Sequence, residues 1–137
     1  MMGEKYIRKL VKKHQTNCPF TLADQLNIEV WFLDMPDEVR GYFYRVLKRS
    51  YIAINSNCSE EWQRFTCAHE LGHHHYDKGM GYYFIEKNTL CNPGKYERRA
   101  NRFAVNLLTY GSEIRENESV YDYYKRNTIP LEIVNNI

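Results

Sequence analysis

The chain has 137 residues, enough for one hydrophobic core, and its 43% hydrophobic and 26% charged residues exclude a disordered composition. Nineteen Lys and Arg against seventeen Asp and Glu leave a formal charge of only +2, so there is no electrostatic footprint for nucleic acid. No apolar run approaches the roughly 20 residues that span a bilayer, the start has no apolar signal core, and Cys18, Cys58, Cys67 and Cys91 form no C-x-x-C pair, which together point to reduced thiols in a cytoplasmic protein.

Residues 4 to 15 carry Ile7, Leu10, Val11 and His14 at helical spacing, with Lys5, Arg8, Lys9, Lys12 and Lys13 as a solvated basic face. A short helix is expected from Thr21 over Leu22 to Leu26. The period then changes to that of strands. Ile28, Val30 and Phe32 alternate, 39–46 is rich in aromatics, and Tyr51–Asn55 is β-branched and aromatic, giving three short strands with a turn at Asp34–Met35–Pro36–Asp37. A helix start follows, capped by Asn57 or by Ser59, and the helix should run to about Tyr76, with Gly79 and Gly81 at or beyond its end. Residues 77–94 read as a loop closed by Pro93–Gly94. A second strong helix runs from Lys95 to Leu108, and two shorter ones are expected near 117–126 and 130–136. The expected fold is one compact α+β domain over residues 1–137, with a sheet of about three strands packed on helices. The twelve Tyr, six Phe and two Trp fill a small core with large side chains whose polar ends stay wet.

Four of the five histidines fall in Ala68–His69–Glu70–Leu71–Gly72–His73–His74–His75–Tyr76. On a helix His69 and His73 are i and i+4, so both imidazoles can reach one Zn²⁺ from the same face. Glu70 lies beside that ion without having to bind it, placed to take a proton from water; this is the H-E-x-x-H pattern. Trp62 and Phe65 continue the His69–His73–Tyr76 stripe and carry the pair inward. A catalytic zinc needs a third protein ligand, and the downstream acids are Asp77, Glu86 and Glu97. The small Ala100, Asn101 and Ala104 let the helix of Glu97 come close; alone Glu97 reads as a plain helix-start glutamate favoured by the dipole, and beside H-E-x-x-H the ligand reading is preferred. Asn101, one turn on, is suited to orient a ligating imidazole. Arg98, Arg99 and Arg102 read as the solvated face. His74 and His75, about 100° and 200° around the helix from His73, read as surface histidines. Tyr76, His75 and Tyr110 are candidates for stabilising an oxyanion, and the residues alone do not choose among them.

Phe65–Thr66–Cys67–Ala68–His69–Glu70–Leu71–Gly72–His73 followed by Glu97–Arg98–Arg99–Ala100–Asn101–Arg102–Phe103–Ala104 resembles the ImmA/IrrE metallopeptidases, and the likeness extends over about residues 5 to 110. The resemblance implies one zinc per chain held by His69, His73 and Glu97, with Glu70 as general base, on a zincin-like helix in a compact α+β fold. It also implies a protein substrate, a helix-turn-helix repressor of a phage or mobile element, cleaved to relieve repression. No appended DNA-binding domain is expected, so regulation would pass through a protein partner without direct nucleic-acid or membrane contact. The alternative is a non-cleaving, zinc-stabilised antirepressor, or a toxin–antitoxin component acting by contact. Two positions depart from the family pattern: His74–His75 where an apolar residue often follows the second His, and Thr109–Tyr110 where Met-Pro often follows the leucines. A substrate strand lying beside a Tyr51–Asn55 edge is a further expectation.

Overall fold

A computed structural model describes residues 2–77 and 94–137. The expected helix stop at Gly79 and Gly81, the loop to Pro93, Glu86, Cys91 and the side chain of Asp77 lie outside the described residues. Helix α1 spans Met2–His14 and α2 Pro19–Gln25; β1 is Ile28–Leu33, β2 Gly41–Val46 and β3 Arg49–Asn55. Helix α3 follows at Glu60–Asp77, then α4 at Lys95–Leu108, α5 at Val120–Arg126 and a 3-10 turn at Leu131–Asn136. Helix α2 begins earlier than the Thr21 start expected, because Pro19 occupies its first turn, where the missing N–H costs nothing.

The sheet order is β1–β3–β2, with β1 parallel and β2 antiparallel to β3. This overturns one expectation. Tyr51–Asn55 belongs to the central strand, bonded on both sides, and has no edge to offer a substrate strand. The chain leaves β1, crosses the end of β3 and returns as β2. Asn55, fully buried, fastens that crossing: its side-chain amide donates to the carbonyls of Pro36 at 3.0 Å and Val39 at 2.7 Å, and its oxygen accepts from the Asn57 N–H. Every polar atom of the buried amide is thereby satisfied.

One sheet face carries the rows Val30–Ile52–Phe43 and Phe32–Ile54–Gly41 toward the helices. Gly41 is small because α3 crosses it: a Cβ there would lie 2.5 Å from the Ala53 carbonyl oxygen and 2.7 Å from Thr66 Cγ2. Helix α3 rests on β2 and β3 on one side and on α4 on the other, which makes it the central layer. Its whole stretch from Phe65 to His73 is buried. Ile7 and Leu10 of α1, Phe103, Ala104, Leu107 and Leu108 of α4, and Ile129 and Ile133 near the C-terminus complete one core.

Candidate metal centre

Helix α3 starts at Ser59, whose hydroxyl accepts from the Trp62 N–H at 3.2 Å, with Glu60 and Glu61 in the first turn opposing the positive end of the helix dipole. Of the two capping residues considered, Ser59 does the capping; Asn57 instead donates to Asp34 and to the Met35 carbonyl. Two turns on, the i, i+4 spacing brings the Nε2 atoms of His69 and His73 to 3.1 Å, rings edge-on at 74°. Both rings are buried, 2% and 1% exposed.

Helix α4 supplies the opposite wall. It can approach because residue 72 is glycine: a Cβ there would meet Phe103 Cβ at 3.1 Å and Ala100 Cα at 3.2 Å. One turn before Ala100, Glu97 places Oε1 2.7 Å from His73 Nε2 and Oε2 3.5 Å from His69 Nε2. Asn101 Oδ1 lies 2.7 Å from His69 Nδ1. Glu70 is fully buried, and a carboxylate oxygen of it lies within 4.8 Å of a donor nitrogen on each histidine.

Such a set suits a divalent cation. Donors about 2.0–2.1 Å from a tetrahedral ion stand roughly 3.3 Å apart, and the His–His and His–Glu97 spacings bracket that value. Two carboxylates and two imidazoles shut away from water are costly to bury together unless a cation offsets the carboxylate charge. The same closed surroundings act on Cys67, one turn behind Glu70. Burial, and then the proximity of Cys18 and Glu70, push its thiol well above the ordinary value. Among the described residues Cys18, Cys58 and Cys67 form no disulfide.

The structure therefore brings His69, Glu70, His73, Glu97 and Asn101 together and leaves the three oxyanion candidates elsewhere. His75 stacks on Tyr6 at 3.7 Å and Tyr76 packs edge-on to Phe103 beneath the Arg99 guanidinium, both toward α1 and α4. Tyr110 lies past the far end of α4, about 20 Å along the helix from Glu97 at 1.5 Å per residue. The surface reading of His74 and His75 is corrected, since both are half-buried and His74 meets Phe43 edge-on. Arg99 is likewise packed between Tyr76 and Tyr96 rather than simply solvated. One contributor escaped the sequence reading: the backbone carbonyl of Asn136, which accepts from Asn101 at 2.8 Å and has no side-chain signature to read. An open groove of about 830 Å³ runs along β1 past Trp31 and Phe32, and none of the five clustered residues lines it.

Among the described residues no helix is long and apolar enough to cross a membrane. Residues 23–134 match the Peptidase_M78 family, described as the IrrE N-terminal-like domain. The chain is also 37% identical over 102 residues to the uncharacterized immunity region protein 2 of Bacillus phage phi105. That match takes in 74% of this chain and 65% of the phage protein.

Proposed function

The chain belongs to the Peptidase_M78 (IrrE N-terminal-like) metallopeptidase family, and from that premise we propose that it is a zinc-dependent endopeptidase in which His69, His73 and Glu97 hold the ion and Glu70 is the general base. The observation that carries the reading is the burial of two imidazoles and two carboxylates around one point, with Glu97 Oε1 2.7 Å from His73 Nε2 and its Oε2 3.5 Å from His69 Nε2. Glu70 stands between the histidines in sequence and a few ångströms from both in space, close enough to serve the reacting water.

A bound zinc ion supplies Lewis acidity and lowers the pKa of a bound water to about 7. The chain's own residues do the rest. Glu70 accepts a proton from the water that attacks the scissile carbonyl, and returns it to the departing amine nitrogen as the C–N bond breaks. The products are a carboxylate and an amine, and Glu70 ends as it began. Asn101 holds the His69 ring, and the close α3–α4 contact at Gly72 keeps Glu97 opposite His73.

The substrate proposed is a helix-turn-helix repressor of a phage or mobile element, cut in the cytoplasm to relieve repression. The likeness to a phage immunity-region protein supports that assignment. The test is the intact mass of such a repressor, encoded beside this chain, after co-expression with the wild type or with Glu70→Gln. Discrete fragments with the wild type alone are expected. A repressor that stays whole with both, and co-purifies with both, would replace cleavage by the contact-only antirepressor.

A further inference from the structure

We propose that the backbone carbonyl of Asn136 is a positioning group for the metal centre, orienting Asn101 so that His69 is held as the tautomer whose Nε2 lone pair faces the other donors. The inference rests on the reading of His69 as a ligand through Nε2.

A primary amide has one accepting end and one donating end. A backbone carbonyl only accepts. The Asn136 oxygen, 2.8 Å from Asn101 Nδ2, therefore requires the NH₂ end of the buried Asn101 amide. That leaves Asn101 Oδ1 facing His69 Nδ1 at 2.7 Å, and this oxygen also only accepts. The proton of a neutral His69 must then sit on Nδ1, with the lone pair on Nε2, the nitrogen that lies 3.1 Å from His73 Nε2 and 3.5 Å from Glu97 Oε2. With the amide turned over, two carbonyl oxygens would oppose each other, and the NH₂ would demand an unprotonated Nδ1. Nε2 would then carry its hydrogen into the donor cluster, where no ion could use it.

The carbonyl is itself firmly placed. Ile133 and Ile129 are fully buried, and the 3-10 turn closes with the Ile133 N–H donating to the Pro130 carbonyl at 3.0 Å. The Asn136 side chain donates back to the Glu132 carbonyl at 2.9 Å and tightens the last turn. A segment 35 residues beyond Asn101 thus reaches the imidazole through one amide. Partners of this kind set the tautomer and basicity of ligating histidines.

The test uses the full chain, free of metal, with ¹⁵N-labelled imidazoles, and compares the wild type with a semisynthetic chain whose Asn136–Ile137 amide is an ester. The ester keeps the carbonyl in place as a weaker acceptor. In the wild type, His69 is expected as the Nδ1–H tautomer. In the ester chain both ring nitrogens should shift toward averaged values, and zinc affinity measured by chelator competition should fall by up to about tenfold. Circular dichroism confirms that each chain is folded. Unchanged ring shifts in the ester chain would overturn the inference while leaving the metal centre standing. A wild type that binds no zinc would overturn the peptidase reading, with the tautomer comparison still deciding the role of Asn136.

Discussion

Gly72→Ala probes the contact on which the centre depends. The added Cβ would stand 3.1 Å from Phe103 Cβ, 3.2 Å from Phe103 Cδ1 and 3.2 Å from Ala100 Cα. Carbon atoms prefer about 3.5–4.0 Å, so α4 must retreat by roughly 0.3–0.5 Å or Phe103 must turn. Phe103 is 2% exposed and meets Tyr6, His75 and Tyr76, which leaves it no room. Replacing a mid-helix glycine by alanine gains about 0.8–1.0 kcal/mol of helix propensity, while overpacking a core costs about 1–3 kcal/mol. The expected net loss is about 0–2 kcal/mol, or up to several degrees in Tm. Glu97 lies one turn before Ala100, so the retreat also stretches its 2.7 and 3.5 Å approaches to the histidines and weakens zinc binding. Thermal unfolding of the metal-free protein and chelator competition for zinc measure the two effects. A Tm raised by the full propensity gain, with zinc affinity unchanged, would refute the argument.

Two further predictions concern stability away from the centre. Leu47 and Lys48 join β2 to β3 with φ of 51° and 66°, a turn that favours Asn-Gly, and Leu47 is 91% exposed. The double change Leu47→Asn, Lys48→Gly should therefore raise stability by about 1–3 kcal/mol; an unchanged or lower urea midpoint would count against it. Glu118 is held down from the ordinary 4.5 to about 2, chiefly by the hydrogen bond from Arg126 and then by the Arg115 N–H. Its folded value is depressed, so its contribution to stability is complete above about 4.5 and is lost as pH falls toward about 2. The stability difference between wild type and Arg126→Ala should accordingly shrink through that window in denaturation curves taken from pH 5 to 2. A pH-independent difference would contradict the assignment.

Much of this molecule was legible because its signals are local. The His69–His73 spacing, the span of α4 and the β-branched run of β3 each declare themselves within a few residues. Small residues at 100, 101 and 104 point to close helices, and the packed structure adds the 3.1 Å approach that makes Gly72 necessary. What could not be read was long-range. The alternating patterns of β1, β2 and β3 are compatible with any order, and burial of β3 between the others follows from a crossing fastened by Asn55, a residue that looks like an ordinary turn former. His74 and His75 were misplaced for a related reason. A helix taken alone has a wet side, but α3 is enclosed by the sheet, α4 and α1, so positions 100° and 200° from His73 also meet packed aromatics. The Asn136 carbonyl is the extreme case, a backbone atom whose role depends on where the C-terminal turn docks.

In the proposed peptidase Glu97 ligates and Glu70 does not. This assignment is tested most directly by zinc stoichiometry, measured by elemental analysis on the purified wild type, Glu70→Gln and Glu97→Gln. About one zinc per chain is expected in the wild type and in Glu70→Gln, as three protein ligands and an open position for water require, and loss of zinc in Glu97→Gln. Zinc retained by Glu97→Gln and lost by Glu70→Gln would contradict it, exchanging the roles of the two acids.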